Sequence, residues 1–155
     1  MNTRSALETR ALRYLARREY SRLELERKLS VHAQAAPGET LANVLDKLEQ
    51  SGFLSAERVI EQIIHTRRPR YGNQYIVHEL KEKGIDEHLI SSILPTLKET
   101  EKGAAYSVWQ KKFGTLPTNL KECGKQMRFM ISRGFSSEII RQLLSQTDKE
   151  DYEEI

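Results

Sequence analysis

The feature that most constrains this chain is a helix stop and restart that recurs fifty residues later. "ELKEKGIDEHLISSIL" (Glu79 to Leu94) aligns with "FMISRGFSSEIIRQLL" (Phe129 to Leu144). Gly84 falls on Gly134, Ile85 on Phe135, and Asp86 on Ser136. Leu89, Ile90, Ile93 and Leu94 fall on Ile139, Ile140, Leu143 and Leu144. A glycine ends a helix cheaply because it enters the left-handed conformation without steric cost. The apolar residue after it folds back onto the last turn, Ile85 onto Leu80 and Phe135 onto Met130. Asp86 and Ser136 are then placed to cap the next helix. "LEQSGFLSAERVIEQII" repeats the device, with Gly52, Phe53 set against Leu48, and Ser55 as cap. Several such ends with the same companions indicate duplication.

These repeats predict an all-α protein of three tandem three-helix repeats forming an elongated, curved array. Repeat one covers about residues 5–52, with an inserted loop at about 30–40. Repeat two covers 55–98, repeat three 101–146, and an acidic tail follows over 147–155. "SRLE" (Ser21 to Glu24) is a capping box opening a helix over 22–29. Pro95 is expected to bend or end the sixth helix, making "TLKETEKG" the joint before repeat three. The tail from Asp148 is expected to fray. No run shows the period-two alternation of a strand.

The 25 Lys and Arg against 22 Asp and Glu conceal an asymmetry. "DKEDYEEI" holds five acids and one lysine, which leaves +7 on the remainder of a chain whose total is +3. A basic body of this kind suits a polyanionic partner. The basic residues also recur in step with the repeats. Arg17 and Arg18 close the first helix of repeat one. Arg67 and Arg68 close that of repeat two, followed by Arg70 and Tyr71. Lys111 and Lys112 close that of repeat three, beside Trp109 and Phe113. Cations near a helix C-terminus gain roughly 0.3–1 kcal/mol from its unpaired carbonyls, which accounts for such pairs without any partner. That does not account for Arg70, which Pro69 and Gly72 place outside the helix. Tyr71 can stack on a base, stack on a guanidinium, or cover the turn. The cluster Arg67, Arg68, Arg70 and Tyr71 therefore reads as a binding surface. Lys81 and Lys83 on the fifth helix, and Lys125, Arg128 and Arg133 on the eighth, are candidates to widen it.

Signals for catalysis are thin. His32, His65, His78 and His88 lack a second histidine or cysteine at metal-ligand spacing, and no phosphate loop or nucleophile elbow appears. Cys123 excludes an internal disulfide and has no activating neighbour in sequence. Trp109 and Phe113, four apart, read as core. The expectation is a protein without catalytic residues, metal or cofactor. With no signal-peptide core at its start and no run of ~20 apolar residues, a cytoplasmic location away from the membrane is expected.

Three passages resemble the RecX family, regulators of the bacterial RecA recombinase. They are "ALRYLARREYSRLELERKL", "RRPRYGNQYIVHELKEKGI" and "RFMISRGFSSEII", in order and spanning roughly Ala6 to Leu144. The "HAQAAPGE" insertion and the acidic tail are peculiar to this chain. The resemblance implies a non-catalytic, monomeric protein that binds RecA filaments on single-stranded DNA. It also implies suppression of ATP hydrolysis, strand exchange and repressor cleavage, with duplex DNA bound weakly at most. A different reading is a helix-turn-helix-like protein that binds duplex DNA independently of RecA, although no helix presents a clean Asn, Gln, Arg and Ser face. A helical adaptor for an unrelated protein is a third.

Overall fold

The computed structural model describes residues 4–33 and 39–153, with the side chains of 146–153 outside the description. Among the described residues the chain is all-α, without strands. Eight helices follow in order: α1 (Ala6–Leu15), α2 (Arg22–Ala33), α3 (Leu41–Gln50) and α4 (Ala56–Arg67), then α5 (Asn73–Glu82), α6 (Glu87–Lys112), α7 (Leu120–Ser132) and α8 (Ser137–Glu153). The middle of the expected inserted loop, residues 34–38, lies outside the described residues.

The chain forms two compact units, Met1–Gln62 with Leu80–Asp86, and Ile63–Glu79 with Glu87–Ile155. In the first, α1, α2 and α3 pack against one another. Their apolar residues recur every three or four positions, so each helix offers one stripe. Leu7 and Ala11 of α1 meet Leu25 and Leu29 of α2 and Val44, Leu45 and Leu48 of α3. Each is at most 1% exposed, so each leucine contributes roughly 1.5–3 kcal/mol by leaving water. The capping box forms as its residues dictate. The Ser21 N–H donates to Glu24 Oε1 at 3.1 Å, and the Glu24 N–H donates to Ser21 Oγ at 3.1 Å.

The glycine stops also form. The Ile85 N–H donates to the Leu80 carbonyl at 3.1 Å, and the Phe135 N–H to Met130 at 3.3 Å. The third stop differs from expectation. The Phe53 N–H reaches the Leu48 carbonyl, but the Phe53 ring is 47% exposed and Leu54 fills the core instead. The backbone closure is the same, and the side chain one position later points inward.

Pro95 neither ends nor divides the sixth helix. The helix α6 runs unbroken from Glu87 to Lys112 through "TLKETEKG", so the described chain has one long helix where two were expected. Ile90, Leu97, Glu101, Ala105, Val108 and Trp109 are buried along it, and packing of this stripe outweighs the hydrogen bond that proline removes. The acidic residues from Asp148 to Glu153 likewise continue α8 rather than begin a frayed tail.

In the second unit α8 packs on α6 and α7. Trp109, Met130, Phe135, Ile140 and Leu143 form its centre, with Phe113 partly buried against them. The Trp109 indole N–H donates to Gln126 Oε1 at 2.8 Å, and Gln126 Nε2 donates to the Thr115 carbonyl at 3.0 Å, so these buried polar groups are satisfied.

Two turns of this unit touch through their backbones. The Gly72 N–H, in the turn between α4 and α5, donates to the Arg133 carbonyl at 2.8 Å. The Gln74 N–H donates to the Gly134 carbonyl at 3.1 Å. A Cβ on Gly72 would lie 2.5 Å from Gly134 carbon and oxygen and from the Phe135 nitrogen. Gly134 has φ +89°, and its own Cβ would meet Tyr75 Cβ at 2.6 Å. Neither position admits a side chain without separating the turns.

Gly72→Ala is therefore expected to destabilise the protein by more than about 2 kcal/mol, because backbone atoms cannot rotate away. Gly103→Ala, inside α6 where a Cβ meets nothing within 4 Å, is expected to stabilise by about 0.5–1 kcal/mol. Urea unfolding of both variants checks the pair of opposite signs.

Candidate functional site

Several of the expected basic residues are engaged within their own unit. Arg67, at the end of α4, forks onto Glu79 of α5, with Nη2 to Oε1 at 2.9 Å and Nε to the two carboxylate oxygens at 3.1 and 3.2 Å. That contact raises its already high pKa. Arg68 turns inward. Its Nη2 donates to the Leu97 carbonyl at 3.0 Å and to Asn73 Oδ1, while its Nε is buried without a partner. Burial lowers the Arg68 pKa, and the charge of Glu101 acts in the opposite direction. Glu101 is itself buried and accepts the Asn73 N–H at 2.8 Å, closing the N-terminus of α5 from a distant helix. Arg68 and Glu101 thus fasten the turn that carries Arg70, and the expected cluster narrows accordingly.

In the first unit, Arg18 pairs with Glu24 at 2.9 Å and lies over the Tyr20 ring at 3.5 Å from its centroid. Lys83 comes within 3.9 Å of the same carboxylate. Arg17, just past α1, and Lys81 are exposed. In the second unit Lys125 and Arg128 are exposed on α7, with the Arg128 guanidinium against Gly124.

The remaining candidates converge. Arg70, Lys111, Lys112 and Arg133 line one surface hollow of about 570 Å³ together with Pro69, Val108 and Phe129. Three stretches bring them there: the α4–α5 turn, the last turn of α6, and the residue that caps α7. The Gly72–Gly134 contact sets the first beside the third. Among the described residues no carboxylate lines the hollow and none of the four cations is ion-paired.

Aromatic rings hold two of these charges instead. Lys112 Nζ and Arg133 Cζ each lie 5.1 Å from the Phe129 ring centroid, and Arg133 is 5.5 Å from that of Tyr71. Tyr71 stacks on Tyr75 at 3.8 Å and 11°, and Phe129 meets Phe113 edge-on at 5.5 Å. A ring face positions a cation without neutralising it. The hollow therefore presents positive charge that no described carboxylate compensates, two of its four cations held by rings, with apolar residues beside them, a geometry suited to binding a polyanion. Tyr71 serves it by supporting Arg133. Sequence reasoning missed Phe129, Val108 and Pro69. The available signal was spacing, since Phe129 precedes Arg133 by four and Val108 precedes Lys111 and Lys112 by three and four.

Fold and site together describe an all-helical protein with a basic surface hollow. The family model for the RecX third three-helix domain matches residues 99–144. The Regulatory protein RecX of Leptothrix cholodnii is 43% identical over 145 residues, covering 94% of this chain and 91% of its own. That of Herbaspirillum seropedicae is 44% identical over 137 residues, covering 88% of each. The crystal structure of RecX from Lactobacillus salivarius superposes with a TM-score of 0.75 at 18% identity, covering 92% of this chain and 94% of that one. A second RecX crystal structure gives 0.71 at 20% identity. The chain belongs to the RecX family. Among the described residues no helix is long and apolar enough to cross a membrane.

Three outcomes follow from these contacts. Arg68→Ala is expected to cost about 2–4 kcal/mol in urea unfolding, because it strands buried polar partners. Arg70→Ala is expected to stay within about 0.5 kcal/mol of the parent. Glu24 gives a pH signature. Burial raises its pKa, but Arg18, the Ser21 N–H and Lys83 together hold it below the usual carboxylate value. A depressed folded pKa means the stabilisation is present above the unfolded value of about 4.3 and is lost as pH falls through the folded one. Glu24→Gln is expected to flatten the fall in stability between about pH 5 and pH 3, measured by urea unfolding across that range.

Proposed function

We propose that this chain is a non-catalytic regulator that binds RecA filaments on single-stranded DNA and lowers their ATP hydrolysis, strand exchange and coprotease activity. It acts in the cytoplasm as a monomeric series of three-helix repeats, the long α6 shared between the second and third. The resemblance of its three signature passages, and relatives named as regulatory proteins, support the reading. The observation that carries it is the hollow of four unpaired cations. Residues from the middle and closing signatures, Arg70 and Arg133, meet there. Contacts made along a polymeric filament add to one another, so modest single contacts suffice.

Titration into a RecA ATPase assay on single-stranded DNA tests the reading. The parent chain is expected to inhibit, and Arg70→Ala/Lys111→Ala/Lys112→Ala to need about tenfold more protein for the same inhibition. Tenfold corresponds to about 1.4 kcal/mol, or three exposed charge contacts of about 0.5 kcal/mol each. Unchanged inhibition removes the hollow from the mechanism. Sequence-selective binding to duplex DNA without recombinase, and no effect on the filament, favours the helix-turn-helix reading instead.

A further inference from the structure

We infer that the hollow between the α4–α5 turn, the end of α6 and the α7–α8 turn seats an unstacked nucleotide of single-stranded DNA. In this arrangement the phosphates lie on Arg70, Lys111 and Lys112, and a base lies over Pro69, Val108 and the Phe129 edge. This rests on the filament-binding reading and specifies which component of the filament this surface meets.

Three observations favour that ligand over an acidic protein segment or duplex DNA. First, the four cations and three apolar residues line one concavity of about 570 Å³. A lone carboxylate or phosphate would meet the charges and leave the apolar residues uncovered. Each nucleotide of a single strand offers one charge and one flat apolar face, and the hollow offers a counterpart to both. An acidic side chain brings the charge without the flat face, and a duplex keeps its base faces stacked out of reach.

Second, two of the four charges are held in place before any ligand arrives. Phe129 holds Lys112 and Arg133 at the same 5.1 Å, and the stacked Tyr71–Tyr75 pair supports Arg133 from another side. Because rings rather than carboxylates do this, a phosphate does not have to displace an anion of the described residues. Third, Arg70 is exposed while its neighbours Arg67 and Arg68 are tied to Glu79 and to the Leu97 carbonyl. Pro69 lines the hollow beside it, so the turn delivers one free cation to the rim.

Fluorescence anisotropy with a labelled twenty-nucleotide oligo-dT, repeated at several salt concentrations, tests the inference. The competitors are a mixed-sequence duplex of equal length and polyglutamate, and RecA ATPase inhibition is followed in parallel. The full-length chain is expected to bind oligo-dT at least tenfold more tightly than either competitor. In Arg70→Ala/Lys111→Ala/Lys112→Ala the slope of log affinity against log salt is expected to fall by about 2, since each single-strand phosphate contact contributes about 0.7. Phe129→Leu is expected to weaken oligo-dT binding at least fivefold with the slope kept; its circular dichroism is compared with the parent to exclude misfolding. Equal competition by duplex or polyglutamate overturns the inference, as does an unchanged salt slope in the triple variant. Loss of RecA inhibition with oligo-dT binding intact overturns it while leaving the filament-binding reading in place. Loss of neither overturns the inference and removes the hollow from that reading too.

Discussion

The second unit depends on a contact with no side chain in it. The turn before α5 and the turn after α7 meet glycine to glycine, joined by the Gly72 N–H to the Arg133 carbonyl and the Gln74 N–H to the Gly134 carbonyl. Close approach of two backbones requires both glycines, one for space and one for space and a positive φ as well. From that contact follow the position of Tyr71, the support of Arg133, and the convergence of cations from segments more than sixty residues apart in sequence.

The same turn shows how one run of basic residues is divided by physical role. Arg67 and Arg68 close α4 and find partners, because the helix end places them against the carboxylate of Glu79 and the carbonyl of Leu97. Pro69 ends the helix, and Arg70 leaves on the other side of the bend, exposed. Burying a guanidinium costs least where hydrogen bonds replace water, and Arg68 meets that condition at Nη2, with Asn73 and Leu97, but not at Nε, while Glu101 supplies a nearby opposite charge. The structural arginines hold the turn, and the turn holds the free one in place.

Aromatic residues supply the order that salt bridges supply elsewhere in this protein. In the first unit Arg18 lies over Tyr20 and is also neutralised by Glu24, so its charge is spent internally. In the hollow, Lys112 and Arg133 rest on Phe129 with no carboxylate among the described residues that line it, so theirs is not spent on those residues. The difference between a cation neutralised inside the fold and one left charged is thus the second partner, not the ring.

Much of the fold was legible from local chemistry. The capping box at Ser21 and Glu24, the stops at Gly84 and Gly134, the back-folding of Ile85 and Phe135 and the burial of Trp109 all rest on contacts within a few residues or on helical periodicity. The resemblance through three short passages agrees with the family membership. Interactions distant in sequence decided the rest. Packing of one stripe carried α6 through Pro95, and Leu54 took the core position expected of Phe53. Meeting of two glycine turns sorted a row of similar arginines into fasteners and a hollow. A sequence encodes local helix geometry residue by residue, whereas which charges stay unpaired depends on what the folded chain places opposite them.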